Sequence, residues 1–207
     1  MDAGVLVRAP LFLFIKNRSI ALFLDFNSVI LLSDNRLPNL RSKFTDRMRP
    51  MRKAKRQRDV KWALEVFDKA PYVTVSMVRP DGTPYGMPLS LVRRDDSVFY
   101  FHCAHEGEKL ECLKNNPVVS LSAVSKCTPK YEEEKNNFTE YYHSAVAVGR
   151  AEIVDDDNEK TEALRLICER FLPRYMDHFD EAVGRSLNMT AIVKITLTEA
   201  PVGKCKP

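Results

Sequence analysis

The feature that most constrains this chain is a succession of short apolar runs that alternate with polar residues and are cut by turn chemistry. Tyr72–Val78 (YVTVSMV) reads as a strand. Arg79-Pro80-Asp81-Gly82-Thr83-Pro84 is a hairpin signal with Asp-Gly supplying the turn, and Tyr85–Val92 returns as a second strand. Arg93–Ser97 is a polar turn ahead of a third strand, Val98–Ala104 (VFYFHCA), and Val118–Val124 is a fourth. Residues 125–137 read as a polar loop. A long strand, YHSAVAVGRAEIV, lies within Phe138–Val154, where Gly149 predicts a bulge or a close backbone approach. Thr190–Glu199 alternates as a sixth strand. Six strands joined mostly by hairpins predict an antiparallel barrel or sandwich. The order is not a βαβ alternation, and neither GxGxxG nor a P-loop occurs, which argues against a Rossmann dinucleotide site.

Helical spacing appears between these runs. Val60, Ala63, Leu64 and Phe67 fall on one face of a helix over Val60–Ala70 that Pro71 ends. A short helix over Glu108–Asn116 closes before Pro117. Asp155–Asp157 opens a helix to about Phe171, its acids suiting the positive end of the macrodipole, and another candidate spans Phe179–Ser186.

The net charge of +4 is unevenly distributed. Residues 1–60 hold 13 Lys and Arg against 5 Asp and Glu, whereas residues 61–207 hold 19 against 23. The body is mildly acidic, so the charge does not mark a nucleic-acid-binding domain. The five cysteines (103, 112, 127, 168 and 205) form no CxxC pair and are odd in number, so reduced thiols in a cytoplasmic protein are the simplest reading.

Residues 1–47 look unlike the rest and are read as an atypical N-terminal extension, either a start-site over-extension ahead of Met48 or a poorly ordered appendage. Their apolar runs are broken by Lys16, Asn17 and Arg18, and none approaches the length of a membrane span. A peripheral anchor is the rival reading, weakened by Asp25 and Asp34. Residues 48–58 form a basic leader with Arg49, Arg52, Lys53, Lys55, Arg56 and Arg58. It reads as a solvated lead into the first helix, with RNA or anionic lipid as the alternative contact. The domain proper is assigned to residues 59–207.

Chemistry concentrates in Pro88–Pro117. Alternation puts Val98, Tyr100, His102 and Ala104 on one face of their strand and Phe99, Phe101 and Cys103 on the other. That split makes a metal shared by His102 and Cys103 poor geometry. His105-Glu106-Gly107 starts a helix at once, with Lys109 in its first turn; free N–H donors and a point charge make a place for a phosphate. His102 carries two readings, a group that binds substrate or passes protons, since imidazole titrates near neutrality, or a barrel histidine satisfied by a backbone carbonyl. Cys103 reads as a small core residue and Trp62 as helix packing. His143 and His178 are read as structural or exposed.

Tyr85-Gly86-Met87-Pro88-Leu89-Ser90, Phe99–Leu110 with its F-H-x-A-x-x-G-x-K pattern, and Asn116-Pro117-Val118-Val119-Ser120 together resemble the FMN-binding split-barrel proteins related to pyridoxamine 5′-phosphate oxidase. They look most like the nitroimidazole-resistance, nitroreductase-like branch. Phe138–Ser144, Val148–Ala151 and Val202-Gly203-Lys204 fit too, so the resemblance covers about residues 50–205. It implies a six-stranded antiparallel split β-barrel, mainly β with flanking helices, and a homodimer with FMN at its interface. It implies that Pro88, Leu89 and Ser90 lie along the flavin ring, that Phe101 and His102 continue that wall, that His105, Gly107 and Lys109 hold the phosphate, and that Ser144 meets the flavin from another strand. His102 would be the catalytic candidate; no metal, nucleic acid or membrane span is expected. The true oxidases carry an Arg-Lys pair where this chain has Glu108-Lys109, and their basic residues for a phosphorylated pyridoxine have no match here. The implied function is an FMN-dependent oxidoreductase passing electrons from a small-molecule donor to a small acceptor such as a nitroaromatic. A deazaflavin in place of FMN, a non-catalytic flavin- or haem-binding module, and an RNA- or membrane-associated protein acting through the basic leader remain as alternatives.

Overall fold

Alternating burial builds the sheet. The computed structural model describes residues 51–206 and, ahead of them, two short strands, β1 (Phe14–Ile15) and β2 (Arg18–Ser19). The chain divides into two units, Met1–Pro38 and Asn39–Pro207. In the first, β1 pairs antiparallel with β2. Otherwise the predicted N-terminal extension, the Met48 start and Arg49 lie outside the described residues.

In the second unit the six predicted strands appear as β4 (Val73–Val78), β5 (Pro84–Leu89), β7 (Val98–Cys103), β8 (Val118–Glu132), β9 (Asn137–Val154) and β10 (Ala191–Leu197). Three short strands join them: β3 (Gln57–Arg58), β6 (Val92–Arg93) and β11 (Val202–Lys206). The result is one antiparallel nine-stranded sheet that does not close, in the order β5-β4-β8-β9-β10-β7-β6, with β11 pairing β9 and β3. This is the predicted mainly-β split-barrel class with more strands than six. The last residues of the basic leader, Gln57 and Arg58, pair with Lys204 and Gly203.

Two local expectations are corrected. The run Tyr85–Val92 is not one strand: it leaves the sheet at Ser90-Leu91, because the chain must pass there from one sheet edge, β5, to the other, β6. Residues 125–137 are not chiefly a loop. β8 and β9 stay paired from Val118–Arg150 out to Glu132–Asn137, with a register shift between Val124 and Lys126, so the predicted loop is the outer part of a long hairpin. Its turn is Glu133–Lys135 followed by Asn136 in the left-handed region. Cross-strand contacts hold it: Tyr131 stacks on Phe138 at 4.7 Å, and Glu132 accepts from Tyr141 Oη and Asn137 Nδ2.

All four helices follow their predicted starts closely. α1 (Val60–Lys69) is capped by Asp59, whose carboxylate accepts from Trp62 N at 2.8 Å. It buries Ala63, Leu64, Val66 and Phe67; Val60, expected on that face, is exposed instead. α2 (Glu108–Asn115) follows Gly107. α3 (Asp157–Phe171) is capped by Asp156, which accepts from Glu159 N, and α4 (Phe179–Ser186) follows a 3-10 segment.

The sheet has two differently covered faces. Inside the barrel, Val73, Val75, Met77, Phe99, Phe101, Val119, Leu121, Ala145, Ala147, Val193 and Ile195 pack with α1 and α2 into the main core. On the opposite face, Val98, Tyr100, Val154 and Ile192 pack under α3 and α4. Gly149 sits where a Cβ would lie 2.7 Å from Ile195 Cγ2 and 2.9 Å from the Thr196 carbonyl oxygen. The predicted close approach is therefore real, and the register shift lies elsewhere. Gly203 similarly makes room for Trp62, which packs on the core and meets His143 edge-on at 5.2 Å.

Candidate functional site

The outward face of β4, β5, β8 and β9 is built from small and hydroxylated side chains. Register aligns Gly86 and Pro88 with Ser76 and Thr74, these with Ser120 and Ser122, and these with Val148 and Val146; Val124 faces Ser144. Val118, Val124 and Val146 are about half exposed, at 49%, 50% and 45%. Pro88 and Ser144 thus lie on one continuous face. Leu89 points the other way and packs against the main core. Ser90 is in the two-residue link between the sheet edges.

β7 divides its candidates in the same manner. Phe101 is 1% exposed in the barrel core, and Cys103 packs beside it, as the alternation predicted. His102 is exposed on the opposite face, beside Ile192 of β10. Phe101 and His102 therefore do not share a wall within one chain. Loss of hydration first, and the charge of Lys109 second, hold the His102 pKa below the ordinary histidine value. Burial pushes the Cys103 thiol up against the opposing pull of Lys109.

The start of α2 gathers the remaining candidates. Gly107 occupies its N-cap with φ of 116°, a backbone that side chains rarely adopt, and an added Cβ there would meet nothing within 4 Å. No side chain caps the helix, so its first N–H groups are left for solvent or an anion. Lys109 Nζ lies 5.6 Å from the Phe101 ring centroid. His105 is turned elsewhere, with Nε2 3.1 Å from the Asn188 carbonyl oxygen. Glu108 is held by Arg79, whose Nε donates to Oε1. Arg79 was not apparent from the sequence, because its partner lies 29 positions away and no pattern links a hairpin cation to a helix start.

The α2 start, with an open glycine N-cap, unpaired helix N–H groups and one lysine, fits a phosphate, and the outward sheet face, with few charges, fits an apolar ring. Among the described residues no three His, Cys, Asp or Glu side chains converge as a metal ion would need, and no helix there is long and apolar enough to cross a membrane. A shallow pocket lined by Val60, Leu64, Glu65 and Arg93 shares no residue with these candidates.

No curated protein is matched by the sequence. Solved structures of the same fold include a flavocytochrome from Azotobacter vinelandii, at 21% identity and TM-score 0.67 over 79% of this chain and 75% of that one. An FAD and haem binding protein from Mycobacterium smegmatis is similar at 20% identity and TM-score 0.63, over 73% of each chain. A protein from Bacteroides thetaiotaomicron assigned to 5-nitroimidazole antibiotic resistance is similar at 20% identity and TM-score 0.58, over 70% of this chain and 82% of that one. The profile of one family, described as pyridoxamine 5′-phosphate oxidase, matches residues 59–204. That span takes in every strand of the sheet but β3 and the end of β11, the start of α2 and all nine candidate residues, and the chain belongs to the pyridoxamine 5′-phosphate oxidase family.

Proposed function

We propose that this protein is an FMN-dependent oxidoreductase that works as a homodimer in the cytoplasm, taking electrons from a small-molecule donor such as a reduced nicotinamide and passing them to a small acceptor such as a nitroaromatic. The observation that carries this reading is the family match over residues 59–204, which includes both the outward face and the α2 start. When bound, the flavin supplies the redox chemistry, and the protein supplies position and electrostatics. Lys109 and the first N–H groups of α2 bind the phosphate. Pro88, Leu89 and Ser90 offer backbone groups along the ring. His102, whose pKa is held below the ordinary value by lost hydration and by the Lys109 charge, takes a proton at a ring nitrogen and gives it back.

Dimerisation follows from the same face. Half-exposed valines among serines and threonines make a patch that a second copy would cover, and the partner's Ser144 would complete each pocket. Five free cysteines suit a reducing compartment. A second reading, a flavin- and haem-binding module without turnover, is favoured by the fold shared with the flavocytochrome and the FAD and haem binding protein.

Light scattering and absorbance on one column run test both. The expected result is a dimer with one flavin per chain. A protein lacking flavin absorbance refutes the cofactor, a monomer with stoichiometric flavin refutes the shared pocket, and a Soret band favours the haem reading.

A further inference from the structure

We infer that Arg79 is a positioning residue for the phosphate group of FMN: it acts by holding the Glu108 carboxylate away from the α2 start. The inference rests on the flavin site proposed above. Glu108 is the first residue of α2, where a carboxylate is drawn to the positive end of the helix and competes with any anion seated there. Its carboxylate is instead bonded to Arg79 of the β4–β5 hairpin. That pairing is built rather than incidental to the surface. Arg79 Nη1 donates to the Pro84 carbonyl at 2.9 Å and reaches Thr83 Oγ1 at 3.4 Å, while the guanidinium lies 4.8 Å from the Tyr85 ring centroid. The hairpin is itself braced by Asp81, which accepts from Thr83 N and Oγ1 at 2.9 and 2.7 Å.

Two consequences follow for charge. Arg79 cancels Glu108, so that Lys109, the next residue, faces the phosphate without a competing carboxylate. The planar fork also fixes where the Glu108 carboxylate sits, which a free glutamate at a helix start would not do. Removing the guanidinium releases a negative charge within a Debye length of the phosphate. Removing the carboxylate as well cancels that effect.

The test titrates the flavin-free full chain with FMN and with riboflavin, which lacks the phosphate. Arg79→Gln should weaken FMN about threefold to tenfold and leave riboflavin affinity within about twofold. The double variant Arg79→Gln with Glu108→Gln, in which the pair again carries no net charge, should recover FMN affinity to within about twofold of wild type. Thermal unfolding of each variant controls for folding. A loss equal for FMN and riboflavin, or a loss that Glu108→Gln does not rescue, would assign Arg79 a purely structural role and overturn the inference, as would an unchanged FMN affinity. A wild-type chain that binds riboflavin and FMN equally would overturn it through the phosphate site itself. Binding of neither flavin would instead refute the flavin reading, and this inference with it.

Discussion

Arg170 joins three elements of the fold through one guanidinium, and its replacement by methionine should be costly. Its Nη1 donates to the Leu91 carbonyl at 2.6 Å. Its Nη2 lies 2.8 Å from the Phe67 carbonyl, 2.8 Å from that of Asp68 and 2.9 Å from that of Ala70. Phe67 and Asp68 belong to the last turn of α1, whose carbonyls have no helical partner. Leu91 lies in the link that carries the chain between the two sheet edges and is 1% exposed. A cation there both satisfies acceptors and opposes the negative end of the α1 dipole. Burial lowers the Arg170 pKa despite the attraction of Asp68, but arginine stays charged at any pH of interest. Nη2 has only two hydrogens for its three acceptors, so two to three effective bonds are at stake. Hydrogen bonds to a charged group contribute about 1.5–3 kcal/mol each, and the half-buried site admits some water, so Arg170→Met should cost roughly 3–4 kcal/mol. For a domain of ~150 residues that is a fall in melting temperature of about 6–16 °C. Arg170→Lys keeps the charge without the fork and should recover about half of the loss. Urea unfolding of flavin-free protein reads this directly, free of the mass-action effect of a bound cofactor. A methionine variant within about 1 kcal/mol of wild type would show that these carbonyls need no such donor, and the argument from their orphaned state would fail.

Three further outcomes are expected. Lys109→Ala should weaken FMN binding about tenfold to a hundredfold by removing a charge-assisted bond, measured by fluorescence titration; unchanged affinity would remove Lys109 from the phosphate site. Gly149→Ala should destabilise by about 1–3 kcal/mol, because the Thr196 backbone oxygen cannot move aside as a side chain would; a denaturation midpoint equal to wild type would contradict the close approach. His102 and His143 are both held below the ordinary value of 6.5, in each case chiefly by lost hydration. The unfolded chain therefore takes up protons below about pH 6.5 that the folded chain resists, so the stability these sites lend is complete above that pH and falls as pH drops through it. Replacing both histidines with asparagine should flatten that part of the stability profile between about pH 7.5 and 5.5, and an unaltered slope would place its origin in other groups.

The strands were legible because each buries one face, and burial of one face writes a period of two into the sequence. β4 shows it plainly: Val73, Val75 and Met77 are buried while Thr74 and Ser76 face out. Asp59 and Asp156 mark helix starts by capping hydrogen bonds, and Gly107 by a positive-φ backbone that favours glycine; both signals are likewise written locally. The outer half of the β8–β9 hairpin left no such mark. Most of it, with Phe138 84% exposed, faces water on both sides, so selection for burial imposed no alternation on Lys126–Lys135. The break at Ser90-Leu91 was equally silent, since apolar residues on either side continue the strand pattern through a change of partner. For the candidate site, the family motif named candidate residues but not their neighbours. That Pro88 and Ser144 share the outward face, and that Phe101 faces the core while His102 does not, depends on register across strands. The pairing of Arg79 with Glu108 and the four carbonyls gathered by Arg170 join residues 29 and 79 to 103 positions apart. Contacts at that separation are decided only when the chain closes on itself, because they depend on packing geometry rather than on any local propensity.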